Sequence, residues 1–156
     1  AQVTHYDPRC GWSAVAVTVA LAHALEGRPV EATALAAALE EAGAPATVGE
    51  AARAVPGRTL EDLALDDPTS MGYTLKAMQV GLWALQQQGG FEDVLAAVVG
   101  AGGDTDTNGA VAGAALGARL GESAIPGRWL ACVGGRERIA ALAERLLEAS
   151  EGAGER

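Results

Sequence analysis

Residues 102–110 read GGDTDTNGA, two glycines and a run of short polar residues that lead directly into a helical pattern. Asp104, Asp106 and Thr107 place two carboxylates and a hydroxyl within one turn of chain. Mg²⁺ and Ca²⁺ prefer such oxygen donors to nitrogen or sulfur. The stretch therefore predicts a site for a divalent cation at the start of a helix.

Two other structures fit part of this stretch. Asp and Thr are favoured at helix N-caps, where negative charge suits the helix dipole, so ordinary capping is an alternative to metal binding. The spacing of Asp104, Asp106, Asn108 and Gly109 also matches the opening half of an EF-hand calcium loop. The twelfth position of that loop is Ala115 instead of a bidentate Glu, which argues against an EF-hand.

The composition predicts a single all-α domain with a core of small side chains. The chain has 156 residues, of which 49% are hydrophobic and only 4% aromatic. This is enough for one core, and β-branched runs are scarce. The apolar periodicity predicts helices at about 12–25, 30–42, 48–55, 74–88, 91–99, 108–120 and 136–149. The domain is expected to span residues 1–149, with a flexible polar tail at 150–156.

Two of these predicted helices have patterns that indicate close packing. The helix after the cation motif has a glycine at every fourth position, namely Gly109, Gly113, Gly117 and Gly121. An interior glycine costs a helix about 1 kcal/mol relative to alanine, so another backbone is expected to lie against this stripe. In the helix at 74–88, one face carries Leu75, Met78, Leu82 and Leu85 and is expected to be buried.

Charge and cysteine content exclude several classes of function. Eleven basic and twenty acidic residues give a net charge of −9, which disfavours a nucleic-acid partner. An anionic ligand would need local compensation, for which a bound divalent cation is the obvious source. Cys10 and Cys132 are too few for a disulfide framework and lack metal-ligand spacing, so a reducing, cytoplasmic location is expected. We expect neither a signal peptide nor a membrane span.

Other polar segments give weaker signals. Residues 4–8 read THYDP and place an imidazole, a phenol and a carboxylate just before the first predicted helix. The alternative is that Asp7 begins a turn and His5 is a surface residue. Asp66 and Asp67 precede a proline and are typical of a loop. No Ser-His-Asp, Cys-His or P-loop pattern is present. A substrate held by metal and attacked by water is the chemistry that fits best.

Taken together, these segments resemble the ADP-ribosylglycohydrolase family. The resemblance depends on GGDTDT at 102–107 with the glycine-rich helix after it, on Thr4-His5 before an apolar helix, and on residues 72–85. It covers residues 3 to about 147. It implies an all-α fold that holds two divalent cations, Mg²⁺ or Mn²⁺, in a cleft for ADP-ribose.

The resemblance also implies roles for individual residues. The metal ligands of the family match Asp104, Asp106 and Thr107. The ADP-ribose pocket matches His5 and Tyr73, and Gly102 and Gly103, which can adopt positive φ, would make room for ligand beside the metals.

The chain departs from the family at one point. Family members have an N-terminal half with a Thr-Asp-Asp metal element and an acidic residue that acts on the attacking water, and neither has a counterpart here. The chain therefore resembles the C-terminal half, and its catalytic residue is unknown. Three ligands cannot complete the coordination shells of two cations that each take about six oxygens. Water or an N-terminal segment of the same protein is therefore expected to supply the remaining ligands.

The predicted function follows from this resemblance. We expect a metal-dependent hydrolase that removes ADP-ribose from a modified side chain or another adduct, with ADP-ribose or an ADP-ribosylated protein as its partner. The alternative is a catalytically incomplete module that binds ADP-ribose or metal, or acts as a scaffold.

Overall fold

Helices form the regular structure of this protein. The computed structural model describes residues 3–154, with side chains for 3–150, and this range contains no strand. The α-helices are α1 (Pro8–Leu25), α2 (Ala32–Glu41), α3 (Ala46–Arg53), α4 (Thr74–Gln86), α5 (Phe91–Gly100), α6 (Thr105–Leu120), α7 (Gly127–Leu130) and α8 (Arg136–Gly154). Short 3-10 turns lie at Glu61–Leu63 and Glu122–Ala124. The prediction of an all-α fold is confirmed.

All seven predicted helices are present, but three of them begin earlier than expected, among them α3, which begins at Ala46 and not at 48. α1 begins at Pro8, because Asp7 caps it through the backbone N–H of Arg9 and proline suits the first helical position. α6 begins at Thr105, so Asp106 lies in its first turn and not ahead of it. The starts of α1 and α6 therefore contain polar residues that the sequence indicates as candidates for function.

The chain divides into two compact units, residues 1–124 and 125–156. The first unit contains α1 to α6 and every residue predicted for the site. The second contains α7, which is too short to show a periodic pattern, and α8, which continues to Gly154 beyond its predicted end at Ala149. The domain range 1–149 stays a prediction. Within the part of the chain that is described, no helix has the length and apolar character needed to cross a membrane.

Helices α4 and α6 form the centre of the first unit. α6 packs against α4, α5 and α1, and α4 also packs against α1. A Cβ added to Gly81 of α4 would lie 2.8 Å from Val111 Cγ1 of α6, so glycine is needed where these two helices cross. Many buried side chains are alanines, including Ala16, Ala20, Ala36, Ala52, Ala84 and Ala112. The expected core of small residues is confirmed.

The glycine stripe on α6 is used over only part of its length. A Cβ added to Gly109 would lie 3.4 Å from Val99 of α5, and one added to Gly113 would lie 3.8 Å from Leu95. A Cβ added to Gly117 would meet no described atom within 4 Å apart from the neighbouring backbone of α6 itself. The expectation that a backbone lies along the stripe is therefore wrong: α5 approaches through its side chains, and only at the first two glycines.

The predicted apolar face of α4 is part of the core. Leu75, Met78 and Leu82 are buried, and Leu85 is half-buried. Trp83 is also buried, and its indole Nε1 donates to the Arg58 carbonyl oxygen at 3.1 Å. This packing fixes the position of α4, whose N-terminus faces the candidate site.

Candidate active site

The start of α1 contributes a carboxylate and a guanidinium that are tightly paired. Asp7 accepts hydrogen bonds from the backbone N–H of Arg9 at 2.9 Å, from Nε at 2.9 Å and from Nη2 at 2.5 Å. The Arg9 side chain, and then its backbone N–H, lower the pKa of Asp7 to about 2. Asp7 is thus ionised at neutral pH and both caps the helix and orients Arg9.

The start of α4 lies next to this pair. Tyr73 is the N-cap residue of α4, and its hydroxyl accepts a hydrogen bond of 2.9 Å from Arg9 Nη1. The Arg9 Cζ also lies 5.5 Å from the centre of the Tyr73 ring, within the range of a cation–π interaction. The hydroxyls of Ser13 and Thr74, 2.6 Å apart, connect α1 to α4 just behind this contact.

The start of α6 presents the oxygen donors predicted from the sequence. Asp104 occupies the N-cap position, but its side chain makes no capping hydrogen bond. The pKa of Asp106 is lowered, first by a hydrogen bond with the Asp104 side chain and then by one from the Thr107 backbone N–H, which lies 2.8 Å from Oδ1. The two carboxyl groups therefore lie side by side, and capping does not account for Asp104.

These three helix starts line one cleft of about 550 Å³, within the size range of ligand sites. Its polar lining includes His5, Asp7, Arg9, Tyr73, Asp104 and Thr107. His5 is exposed, and its Nδ1 lies 3.0 Å from the Thr4 hydroxyl. A larger groove of about 830 Å³ runs along the outside of α1, but no carboxylate, imidazole or basic group lines it. The smaller cleft is therefore the candidate active site.

The structure brings together most of the residues predicted for the site. His5 and Tyr73, predicted for substrate, and Asp104 and Thr107, predicted for metal, line the same cleft although they come from three elements. Asp106 is exposed and does not line the cleft, but it stays beside Asp104. These roles themselves remain predictions.

The two glycines before Asp104 lie against the loop before α4, and their expected role in making room for a ligand stays a prediction. A Cβ added to Gly103 would overlap the carbonyl oxygen of Leu65, and one added to Gly102 would lie 3.4 Å from Asp66 Cβ. The room they leave is thus occupied by the chain at residues 65–66, and neither glycine lines the cleft. Because Gly102 and Gly103 have no side chains, this loop can pack closely against the start of α6.

The loop before α4 is organised by Asp67. This side chain accepts from the backbone N–H of Thr69 at 2.9 Å, from its hydroxyl at 2.8 Å and from the Ser70 hydroxyl at 2.9 Å. These bonds, that of the Thr69 N–H first, lower the pKa of Asp67. Asp67 therefore has the loop role expected from the sequence. The same loop ends at Gly72, where an added Cβ would lie 3.6 Å from Asp104 Oδ2.

The donor set suits part of the coordination shell of a hard cation. Asp104, Asp106 and Thr107 supply carboxylate and hydroxyl oxygens, and adjacent carboxyl groups are stabilised when a cation or proton lies between them. Within residues 3–150, however, no group of three or more His, Cys, Asp or Glu side chains is placed to hold a metal. The chain thus offers a fitting but partial set of ligands.

Sequence reasoning missed Arg9, Cys10 and Thr74, which also line the cleft. The signal for Arg9 was present in part, because an arginine two residues after a capping aspartate can pair with it locally. Its contact with Tyr73 joins positions 64 apart in the sequence, and no local pattern indicates it.

Comparison with known proteins assigns the chain to a family. The pattern of the ADP-ribosylglycohydrolase family matches residues 1–156, and the chain belongs to that family. It is 35% identical over 81 residues to the ADP-ribosylarginine hydrolase Tri1 of Serratia proteamaculans (strain 568), a match that covers 52% of this chain and 22% of that protein. It is 30% identical over 83 residues to the Tri1 hydrolase of Pseudomonas putida (strain GB-1), covering 53% and 22%.

The matches to the two relatives cover a small part of each. Each match spans about a fifth of the length of the curated relative. No solved structure matches the chain. The family assignment rests on the match over residues 1–156.

Proposed function

We propose that this chain forms the ADP-ribose-binding part of a hydrolase that removes ADP-ribose from a modified side chain or another adduct. The observation that carries the proposal is the convergence of His5, Tyr73, Asp104 and Thr107 on one cleft. The family assignment supports ADP-ribose as the ligand. The names of the two relatives support ADP-ribosyl-arginine as the first substrate to test.

The cleft presents groups that can bind and orient a nucleotide. The chain has a charge of −9, and the Arg9 guanidinium at the cleft wall is paired with Asp7, so a bound cation would have to offset the negative charge of the ligand. Tyr73 and His5 add an aromatic ring, an imidazole and hydrogen-bonding groups. Placed polar groups of this kind fix the orientation of ligands in small-molecule sites.

Mg²⁺ or Mn²⁺ is the proposed cofactor, and Asp104, Asp106 and Thr107 would hold it. When bound, such a cation supplies positive charge that polarises oxygen atoms of the ligand and stabilises negative charge in the transition state. These three side chains fill about half of a six-oxygen shell. Water, the ligand or another segment of the protein would supply the remainder.

The reaction exchanges one bond of the ribose for another. Water adds to the anomeric carbon as the bond from that carbon to the leaving nitrogen or oxygen breaks, and a proton passes to the leaving atom. An acid or base must handle these protons. By the family resemblance, that residue lies in a segment with no counterpart here, so residues of this chain bind and orient the ligand.

A binding module without turnover is the second candidate for the isolated chain. It is favoured because the described residues contain no complete group of metal-ligating side chains. We therefore expect no release of ADP-ribose when the purified chain is mixed with ADP-ribosyl-arginine and Mg²⁺ or Mn²⁺. Release by the chain alone would overturn this expectation and assign the full activity to these residues.

Ligand binding is tested through the two cysteines. Cys10 is half-buried and lines the cleft, whereas Cys132 is exposed in the second unit and serves as an internal control. We expect ADP-ribose with Mg²⁺ to slow alkylation of Cys10 by iodoacetamide and to leave Cys132 unaffected, as read by mass spectrometry. Equal labelling of Cys10 at millimolar ADP-ribose, together with no heat of binding in calorimetry, would refute the proposed function.

A further inference from the structure

We propose that Arg9 is a positioning residue, which holds the Tyr73 hydroxyl so that its proton is available to an acceptor atom of the ligand. This inference rests on the proposed function, because it assumes that ADP-ribose enters the cleft. It concerns the arrangement of three side chains, Asp7, Arg9 and Tyr73, at the junction of α1 and α4.

Asp7 fixes the orientation of the Arg9 guanidinium. Nε and Nη2 of Arg9 donate to the two carboxylate oxygens of Asp7, which is a two-point contact between planar groups. Asp7 is itself held by the backbone N–H of Arg9 at the first turn of α1. The plane of the guanidinium is therefore set by a carboxylate that is itself bonded to the first turn of α1.

The hydrogen bond between Arg9 and Tyr73 has only one possible direction. A guanidinium only donates hydrogen bonds, so in the 2.9 Å contact between Arg9 Nη1 and Tyr73 Oη the phenol oxygen must accept. The phenol proton is then not used in this contact. Within the described residues the Tyr73 hydroxyl has no other partner, so its O–H remains available as a donor.

Arg9 also fixes the Tyr73 ring. Tyr73 is half-buried and lines the cleft, and Arg9 lies over its face as well as against its hydroxyl. The two contacts fix the ring and the oxygen together. A ligand atom that accepts a hydrogen bond, such as a ribose, phosphate or adenine acceptor, would meet a donor that is already oriented, which reduces the entropy lost on binding.

The test is a double-mutant cycle on ADP-ribose affinity, measured by calorimetry with the purified chain. Tyr73→Phe removes the hydroxyl and keeps the ring, and we expect it to weaken binding about threefold to tenfold, the value of one neutral hydrogen bond. Arg9→Met should weaken binding by a similar factor. If Arg9 acts through the hydroxyl, the double variant binds no more weakly than either single variant.

Two further variants separate positioning from charge and from general stability. Arg9→Lys keeps the charge but cannot reproduce the two-point contact, so it should not restore wild-type affinity. Arg53→Met is the matched control, since Arg53 makes a comparable two-point pair with Glu40 at similar exposure, outside the cleft. It should bind ADP-ribose like the wild type. Where Arg9→Met does not fold, Arg9→Gln replaces it in the cycle.

The outcomes distinguish this inference from the proposed function. Additive losses in the double variant, wild-type affinity in Arg9→Lys, or an unchanged affinity in Arg9→Met would each overturn the role of Arg9 while leaving ADP-ribose binding in place. Failure of the wild-type chain to bind ADP-ribose would overturn the proposed function, and the inference with it. Melting temperatures measured in parallel report whether each variant is folded.

Discussion

A Cβ placed on Gly103 would lie 2.7 Å from the carbonyl carbon of Leu65 and would overlap its oxygen. Gly103 also has a φ of +72°, which side chains rarely allow. This contact presses the loop before α4 against the start of α6. Tyr73, which follows this loop, and Asp104, at the start of α6, both line the cleft.

Gly103→Ala is therefore expected to destabilise the chain by about 2–3 kcal/mol, because both the backbone conformation and the space exclude a methyl group. Urea denaturation followed by circular dichroism measures this change. Gly117→Ala is the matched control, since Gly117 lies in α6 with no described atom within 4 Å of an added Cβ. It should be neutral or stabilising by up to about 1 kcal/mol. Equal effects of the two substitutions would contradict this account.

Asp106→Ala is expected to lower the affinity for Mg²⁺ or Mn²⁺ and to leave the helices folded, because the side chain is exposed in the first turn of α6. Calorimetric titration with each metal measures the affinity, and circular dichroism measures the helix content. Asp93→Ala is the control, as Asp93 is an exposed acid in the first turn of α5. Unchanged metal binding in Asp106→Ala would refute its assignment as a ligand.

The pairing of Asp7 with Arg9 predicts a pH dependence of stability. Folding lowers the pKa of Asp7 from its usual value of 3.8 to about 2, so the ionised group stabilises the folded state above pH 4. That contribution is lost as the pH falls from about 4 towards 2. Melting curves of the wild type and Asp7→Asn should differ at pH 6 and converge in this acidic window. A difference that stays constant from pH 6 to pH 3 would argue against the lowered pKa.

Arg119 is expected to support the fold without affecting the site. Its guanidinium, carried on α6, donates to the carbonyl oxygens of Gln87, at the end of α4, and of Gly89. Arg119→Met leaves these acceptors without this donor and should cost about 1–3 kcal/mol in urea denaturation. Affinity for ADP-ribose should remain within about twofold of the wild type, because Arg119 does not line the cleft. A large loss of affinity in a folded variant would show that the two regions are coupled.

Local chemistry explains why much of the fold was predictable. Helix periodicity, the glycine and proline breaks, and the alanine-rich composition depend on neighbouring residues, and all seven helices predicted from them are present. The largest errors occurred at the starts of α1 and α6, where periodicity has not yet begun, and at the end of α8. The four-residue α7 was missed because it is too short to show a period.

The candidate site was predictable only in part. Asp104 and Thr107 form a compact motif that can be read without a fold. Arg9 was not identified, since its partner Tyr73 lies 64 positions away. The close contact at Gly103 was not predictable either, because the atom that excludes a side chain there belongs to Leu65.

The sequence by itself determined the all-α class, the family and the oxygen donors at the start of α6, because these depend on short-range pattern and residue chemistry. Only the tertiary structure decided which helix starts face one another. That choice depends on the crossing of α4 with α6 at Gly81 and on the Ser13–Thr74 contact between α1 and α4. Packing of distant segments therefore joins Arg9 to Tyr73 and places both in a cleft with Asp104.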